Sequence, residues 1–387
     1  MRRAMQTVGW GLYLASSWTW CIGMFLPILL LRWWGWPGFL AFAVPNVLGC
    51  TLFGYVLTPQ ASRAFVLRFG PWIALFGAAT IAYQIGFLLA AGLAVFLLGA
   101  VPATIALLAS RRAGTRKLDA VMMLIGALAW ITSAALFTQF GTGALTTLPG
   151  HGSLPATSLP WAAPFIAFGF LLCPYLDPTF HVALQRSPSR HAFLVFGIAF
   201  AAMLLFTASF HDPESGNPTA DGETLGGRSI IHWQWGVQAA FTTIAVAAAM
   251  RSLLTDDERT GRIPTLPGCV VGALLILWGM WRFESWLPPM ATALLPPTGP
   301  VVGEPTYLRW LGLYGVVFPA AVLLGLRGTP SWLRIAATLI ALFLAEMGMV
   351  WGRFPLLTAA LTVVVVASLR SSRPRMETAE IAPADSR

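Results

Sequence analysis

The sequence predicts an all-α, polytopic membrane protein with about twelve transmembrane helices. Three observations predict this fold class. The chain of 387 residues is 57% hydrophobic and only 10% charged, whereas soluble proteins are about 25% charged. Apolar runs of about 20 residues, the length that crosses a bilayer as a helix, recur along the whole chain. The 17 tryptophans also fit a membrane protein, because Trp favours the interface between lipid and water.

Twelve spans can be placed in order along the chain. The first apolar run, 8–31, is longer than the roughly 7–15-residue apolar segment of a signal peptide, so we expect it to stay as a helix. The run 70–110 exceeds one crossing, and the small residues 90–92 offer a turn that divides it. The predicted spans are 8–31, 35–58, 70–89, 91–110, 118–140, 160–185, 191–210, 230–250, 266–285, 307–326, 333–350 and 354–369.

The basic residues fix the expected orientation. If the N-terminus is cytoplasmic, all but five of the 24 Lys and Arg residues fall in cytoplasmic segments. This bias follows the positive-inside rule and predicts a multi-pass protein of the cell (inner) membrane with both termini in the cytoplasm. It also explains the net charge of +9 without a nucleic-acid partner. The five exceptions are Arg32, Arg228, Arg282, Arg309 and Arg353.

Two of the predicted spans are interrupted. The first contains SSWTWCIGMFLP (16–27), with a glycine in mid-membrane and a proline after it. The sixth contains CPYLDPTFHVALQR (173–186), whose two prolines lack the N–H of a helical hydrogen bond. Carbonyl groups freed at this depth must line a cavity or lie buried in protein. Glycine and proline are also common in transmembrane helices in general, so a purely structural reading stays open.

The two interrupted spans begin five helices apart and run in opposite directions. This is the pattern of an inverted repeat of five plus five helices, whose discontinuous first helices meet at a central site. The predicted organisation is a cytoplasmic N-terminus (1–7), a first five-helix repeat (8–140), an outer loop (141–159), a second five-helix repeat (160–326), two additional helices (327–369) and a disordered cytoplasmic tail (370–387).

Three short motifs carry a family resemblance. They are SxxxCIGM (17–24), DPTFHVALQRSPSRHA (177–192) and AAFTTIA (239–245). With the interrupted spans, they resemble the sodium:solute symporter family, which has the leucine-transporter fold of the amino acid–polyamine–cation superfamily. The likeness could cover roughly residues 8–326. It implies ion-coupled transport of a small solute by alternating access.

The resemblance also implies a sodium site. Its ligands would be the carbonyls of Tyr13, Ser16 and Ala239 and the hydroxyls of Thr242 and Thr243. Sodium is a hard cation, and unwound carbonyls and hydroxyls provide the oxygen ligands that it prefers without a full carboxylate charge. Alternatively, the two threonines merely bond back to carbonyls one turn earlier in a plain buried helix. No cofactor other than this coupling ion is expected.

Candidate solute-binding residues lie in the spans that would line the central site. Trp18 and Trp20 stand two positions apart in a helix, so at most one of them is expected to face the site. Contact with lipid is the alternative for both, while an aromatic wall suits a quaternary amine or an apolar solute. The full set is Trp18, Thr19, Trp20 and Gly23 in the first span, Tyr83 and Gln84 in the third, and Asp177 and His181 in the sixth.

Asp177 is the acidic residue that the sequence places inside the membrane within the first eight spans. A carboxylate at a helix centre costs about 2.5–3.5 kcal/mol on insertion scales, so it is a functional candidate. It could bind a cation, pair with a cationic solute, or carry a proton with His181, four residues later on the same face. Alternatively, Asp177 caps a half-helix that starts at Pro178. Glu346, a second intramembrane acid, is expected to have a packing or dimer role.

These observations favour an ion-coupled secondary transporter, with sodium preferred unless Asp177 and His181 face the cavity. No Gly-rich phosphate loop or soluble catalytic domain is present in the sequence, so we do not expect an enzyme. Two alternatives remain: a membrane enzyme at the outer face, built on His211, Asp212, Glu214 and His232, or a non-transporting sensor or scaffold of the same fold. The expected partners are a small solute and the bilayer, and the oligomeric state stays open.

Overall fold

The computed structural model of the chain describes residues 1–91, 115–141, 152–209, 224–225, 228–259, 272 and 304–370. This part of the chain is helical, as predicted, apart from one antiparallel hairpin in which Leu225 pairs with Arg228. Its helices are α1 (Arg2–Trp18), α2 (Cys21–Trp34), α3 (Trp36–Val56), α4 (Pro59–Ala91), α5 (Thr115–Leu136), α6 (Leu159–Leu172), α7 (Pro178–Arg186), α8 (His191–Ser209), α9 (Ile230–Arg259), α10 (Glu304–Gly312), α11 (Phe318–Leu326), α12 (Ser331–Met349) and α13 (Pro355–Leu369).

Short irregular helices extend or join several of these elements. A 3-10 turn (Ala156–Ser158) precedes α6, and a second one (Cys173–Leu176) follows it. A π-helical turn (Phe137–Gly141) ends α5, and another (Leu313–Val317) joins α10 to α11. The hairpin strands are β1 (Thr224–Leu225) and β2 (Arg228–Ser229).

The length and composition of these helices indicate a multi-pass membrane protein. Within the described residues, eight helical segments are long and apolar enough to cross a membrane, and the bent pair α1–α2 makes up to nine. Helix α13 is apolar but shorter. Ten of the predicted spans coincide with one of these helices or helix pairs. The predicted spans 91–110 and 266–285 lie outside the described residues, apart from residues 91 and 272.

Two helices begin earlier than the predicted spans. Helix α4 begins at Pro59, ahead of the span predicted over 70–89, and α1 begins at Arg2, so that the predicted cytoplasmic N-terminus 1–7 is helical from its second residue. In both cases a polar stretch extends a membrane helix by several residues. Hydropathy marks where an apolar run begins, whereas a helix continues through polar residues as long as its backbone hydrogen bonds can form.

Helix α1 lies at the centre of the bundle. It packs against α5, α8 and α9, and more briefly against α7. Eight of its residues, from Trp10 to Trp18, are buried. Gly126 of α5 allows α1 and α9 to approach α5 closely, because a Cβ there would stand 2.8 Å from the Cα of Tyr13 and 2.9 Å from the ring of Phe241.

The last two helices lie at the periphery of this bundle. Helices α12 and α13 pack against each other, α13 also packs against α6, and α12 contacts α10 and α11. Large apolar side chains on α12 stay exposed, among them Trp332, Leu339 and Phe343, as expected for a surface that faces lipid. Glu346 has the packing role expected of it, because it binds Arg309 of α10 at 3.0 Å.

The ends of successive membrane helices lie at opposite ends of the bundle, as expected when a chain crosses a membrane back and forth. At one end, Arg3 at the start of α1 donates a hydrogen bond of 2.9 Å to the carbonyl of Pro188, just after α7. At the other end, Trp34 at the end of α2 donates one of 2.8 Å to Ser158, just before α6. We call these the α1-start end and the α2-end; they are the predicted cytoplasmic and outer ends respectively.

Candidate functional site at two helix breaks

The first helix break separates α1 from α2. Helix α1 ends at Trp18 and α2 begins at Cys21, and the two helices are bent by 60° relative to each other. Trp20 between them has an extended backbone (φ −110°, ψ −175°). Thr19 closes the end of α1, because both its N–H (3.1 Å) and its hydroxyl (2.7 Å) donate to the carbonyl of Ala15. The predicted interruption of the first span is therefore present.

The second break separates α6 from α7. After the 3-10 turn that follows α6, Asp177 adopts an extended conformation and α7 starts at Pro178. A carboxylate oxygen of Asp177 accepts hydrogen bonds from the N–H of Thr179 (2.6 Å) and from its hydroxyl (2.5 Å). Asp177 is only 1% exposed. The predicted helix cap is confirmed, with proline at the first helical position where its missing N–H costs nothing.

The two breaks meet inside the protein. The hydroxyl of Ser17, at the end of α1, lies 3.2 Å from the hydroxyl of Thr179, at the start of α7. Each hydroxyl has a single proton, and that of Thr179 is donated to Asp177. The Ser17 proton can then go either to Thr179 or to the carbonyl of Leu14 at 3.1 Å. A chain of polar contacts thus links the end of one half-helix to the cap of the other.

The predicted partnership of Asp177 with His181 is wrong. His181 is fully buried; its Nε2 lies 2.8 Å from the carbonyl of Tyr175 and its Nδ1 lies 2.8 Å from the hydroxyl of Ser62 on α4. Since the Tyr175 carbonyl only accepts, Nε2 carries the proton and Nδ1 accepts from Ser62. Residues four apart share a face only when both are helical, and Asp177 lies one position outside α7. His181 instead ties a carbonyl of the break to α4.

Aromatic side chains fill the space beside the first break. The rings of Trp18 and Trp20 are 1% and 2% exposed and lie 6.0 Å apart. Trp20 packs on Tyr314 at 4.6 Å, and Trp18 packs on Phe180 at 5.0 Å and on Phe76 at 6.5 Å. The lipid-contact alternative is therefore wrong for both tryptophans. Both rings point into the protein, because α1 ends at Trp18 and helical spacing does not apply to Trp20. That at most one of them faces a solute site stays a prediction.

The remaining solute-site candidates, Tyr83, Gln84 and Gly23, are buried near these aromatic rings. Tyr83 on α4 packs on Trp20 at 6.5 Å and donates its hydroxyl to the carbonyl of Tyr307 at 3.0 Å. Gln84, the next residue, is fully buried. Gly23 lies in the first turn of α2, where a Cβ would stand 3.7 Å from the ring of Phe200 on α8.

Two residues of the sodium site that the resemblance implies contact each other between α1 and α9. The hydroxyl of Thr242 lies 3.3 Å from the carbonyl of Ser16 and donates to it. Thr243 donates to the carbonyl of Ala239 at 2.9 Å, which is the backward bond that the alternative reading expects. Tyr13 is buried one turn before Ser16 on α1. The structure thus joins the carbonyl of Ser16 to Thr242, while Thr243 and Ala239 bond to each other within α9.

A small cavity lies between Thr242 and the α1-start end of the bundle. It measures about 10 Å³ and is lined by Trp10 and Tyr13 of α1, with residues of α5, α7 and α9. At its edge Arg186, the last residue of α7, donates to Asp119 of α5 at 2.6 Å. Both side chains are about a fifth to a quarter exposed. This ion pair closes the bundle at the end where the charge bias predicts the cytoplasm.

Sequence reasoning missed four polar residues that shape the site. Asn46 of α3 accepts the indole N–H of Trp18 at 2.8 Å, Ser62 holds His181, and Thr179 joins the two breaks. Gln238 of α9 donates to the carbonyl of Ala129 on α5. Asn46 and Gln238 gave a usable signal, because each is an uncharged polar residue inside an apolar span. Ser62 and Thr179 gave none, since hydroxyls are common in membrane helices.

The outer-face enzyme hypothesis rests on residues that cannot be placed in this arrangement. His211, Asp212 and Glu214 lie outside the described residues. His232 belongs to the first turn of α9, outside the part of that helix whose side chains are described.

Comparisons of the chain with protein-family models, with curated proteins and with solved structures find no match. The likeness to sodium:solute symporters rests on the three sequence motifs and the two interrupted spans, and it stays a prediction.

Proposed function

We propose that the chain is an ion-coupled secondary transporter of a small solute that works by alternating access. One observation carries the proposal: two broken helices, five predicted spans apart, meet at their breaks through Ser17 and Thr179 inside the protein. In membrane transporters, breaks of this kind supply the backbone groups that bind solute and ion near the membrane midplane. A purely structural kink would not need to face a second one.

The proposal includes the finer architecture that the sequence predicts. The chain crosses the cell (inner) membrane twelve times with both termini in the cytoplasm, and ten of its helices form an inverted repeat of five plus five. Two features support this. The interrupted spans occupy matching positions in the two predicted halves, and the helix ends alternate between the two ends of the bundle. Helices α12 and α13 lie at the edge, as additions to such a core would.

Sodium is the proposed coupling ion. The carbonyl of Ser16, near the end of α1, and the hydroxyl of Thr242 on α9 supply two oxygens from different helices. A sodium ion bound there would replace the direct hydrogen bond and recruit Thr243 from its bond to Ala239. The ion would thereby hold α1 against α9. Proton coupling is less well supported, because Asp177 caps α7 and His181 binds Ser62 and Tyr175.

The solute is proposed to bind at the first break, beside Trp18 and Trp20. An aromatic surface favours an apolar molecule or a quaternary amine, whose charge is attracted to the faces of the rings. Because the aromatic rings fill this space in the structure, the solute must displace at least one of them. The ion pair between Asp119 and Arg186 would open when the α1-start end admits or releases the solute.

Thermal unfolding of the purified protein in sodium against choline buffer tests the coupling ion. A ligand that binds only the folded state stabilises it by RT ln(1 + [L]/Kd), about 2.7 kcal/mol at one hundred times Kd. We expect a sodium-dependent rise in Tm that is smaller in the Thr242→Ala, Thr243→Ala variant. Thr362→Ala is the matched control, because Thr362 also bonds back to the preceding turn at 2.8 Å but lies exposed on α13. No sodium effect in the wild type, or an equal effect in both proteins, would refute the site.

A non-transporting scaffold or sensor is the second candidate, and the filled aromatic centre favours it. Uptake into proteoliposomes separates the two. A sodium gradient should drive uptake of a small quaternary amine or a small apolar solute by the wild type. A scaffold that has lost the ion site would show no sodium effect in the unfolding experiment and accumulate no member of a broad solute panel.

A further inference from the structure

Helix α9 carries a buried row of three polar side chains, two of which the proposed sodium site does not use. Gln234, Gln238 and Thr242 follow one another at intervals of four residues, which places them on one face of the helix. At 1.5 Å per residue the row is about 12 Å long. All three side chains are fully buried. Thr242 ends the row at the carbonyl of Ser16, and the two glutamines extend it towards the α2-end.

The orientation of the Gln238 side chain follows from the groups that accept its hydrogen bonds. Its Nε2 lies 3.0 Å from the carbonyl of Ala129 and 2.7 Å from the hydroxyl of Ser133, both on α5. A backbone carbonyl only accepts, so the amide nitrogen must face Ala129 and the carboxamide oxygen must face away from it. That oxygen is buried and has no hydrogen-bond partner within the described part of the chain.

Gln234, one turn before Gln238 on α9, makes similar contacts with α8. Its Nε2 lies 3.3 Å from the hydroxyl of Thr207 and 3.7 Å from the sulfur of Met203. Its carboxamide oxygen is likewise buried and without a partner among the described residues. Two unpaired acceptors therefore lie one helical turn apart where α5, α8 and α9 adjoin. Each buried acceptor left unpaired costs about 1–3 kcal/mol, and lipid offers nothing that could satisfy it.

We propose that Gln234 and Gln238 hold a small monovalent cation, in a second site separate from the one at Thr242. The two carboxamide oxygens of Gln234 and Gln238 would be its ligands, and the hydroxyls of Thr207 and Ser133 lie beside the same carboxamides, 3.3 Å and 2.7 Å from their nitrogens. Uncharged oxygen ligands suit a hard cation of single charge. The site does not depend on transport, nor on whether Thr242 binds sodium.

Sodium unfolding titrations in the Thr242→Ala, Thr243→Ala background test this second site. We expect a residual sodium-dependent rise in Tm that is lost when Gln238→Met or Gln234→Met is added, because Met has a similar shape and no oxygen ligand. Gln139→Met is the matched control, since Gln139 is exposed at the end of α5. Adding Gln238→Glu should lower the half-saturating sodium concentration about tenfold or more, because a carboxylate binds the ion more strongly.

Equilibrium binding of radioactive sodium to the wild type keeps the test decisive if the combined variants do not fold. We expect two ions per chain, and one in Gln238→Met. One ion in both proteins would overturn the second site while leaving the Thr242 site standing. If Gln238→Met instead changes Tm equally in sodium and in choline, the oxygen is bound by water or by protein and the cation proposal is wrong. Loss of the sodium effect only in Thr242→Ala, Thr243→Ala would refute the second site alone.

Discussion

The cap that Asp177 provides for α7 can be measured apart from the charge that Asp177 brings into the protein. Two variants separate these contributions. Asp177→Asn keeps an oxygen that can accept the N–H of Thr179, and Asn is as good a helix cap as Asp. Asp177→Ala removes the oxygen. Because both variants lack the negative charge, the difference between their stabilities reports the cap.

The structure sets the size of this difference. The carboxylate accepts two short hydrogen bonds from Thr179, one from its N–H and one from its hydroxyl. Losing a cap costs about 0.5–2 kcal/mol in water-soluble helices. Asp177 is 1% exposed, so water cannot replace the lost acceptor, and the cost should fall at or above the upper end of this range. We expect Asp177→Ala to be about 2 kcal/mol less stable than Asp177→Asn.

Asp177→Asn itself should differ little from the wild type in stability. It loses the stronger hydrogen bonds of a charged acceptor but avoids the cost of burying a charge, about 2.5–3.5 kcal/mol on insertion scales. If Asp177 also binds the coupling cation, Asp177→Asn should weaken the sodium-dependent rise in Tm. Our placement of sodium at Ser16 and Thr242 expects that rise to persist.

Unfolding in mixed micelles, followed by helical circular dichroism, provides the free energies. Thr58 supplies the control, because its hydroxyl caps the start of α4 through the N–H of Ala61 at 3.1 Å but lies exposed. Thr58→Ala should cost only about 0.5–1 kcal/mol, since water can satisfy the freed N–H. Equal stability of Asp177→Ala and Asp177→Asn would refute the argument that this cap stabilises the second break.

Two further perturbations test the packing around α1 and the closure of the α1-start end. Gly126→Ala should destabilise the protein by about 1–3 kcal/mol, because the added Cβ would meet the backbone of Tyr13 at 2.8 Å. Unfolding of Gly126→Ala beside Gly272→Ala checks this, since a Cβ at Gly272 meets no atom of the described residues within 4 Å. Equal effects of the two substitutions would contradict the prediction. A double-mutant cycle of Asp119→Asn and Arg186→Gln should give a coupling energy of about 1–2 kcal/mol, above the 0.2–1 kcal/mol typical of exposed pairs, because both side chains are largely buried; a coupling near zero would show that the ion pair does not hold α5 to α7.

The apolar runs predicted most of the helices, because hydrophobic length is a property of consecutive residues. The second break was predictable for the same reason, because the pair Asp177–Pro178 acts on the backbone directly. The first break was predicted from Gly23 and Pro27, but both residues lie inside α2, and the break falls before them at Thr19 and Trp20. The residues at which α1 and α4 begin were not predictable, because nothing in hydropathy stops a helix from extending into polar residues.

The site was only partly predictable. The sequence singled out Trp18, Trp20, Asp177 and His181 because large aromatic and ionisable residues inside a membrane need an explanation. It did not predict their partners. Trp18 binds Asn46 from α3, and His181 binds Ser62 from α4.

By itself, the sequence determined that this chain is helical and apolar enough to cross a membrane many times, and where two of its helices break. These properties depend on local composition and on backbone chemistry within one or two helical turns. Only the tertiary structure decided that the breaks meet, that both tryptophans pack inward, and that two glutamine oxygens on α9 are buried without a partner among the described residues. The contact between the breaks joins residues more than a hundred positions apart, and the approach of two helices depends on the shapes of every side chain between them.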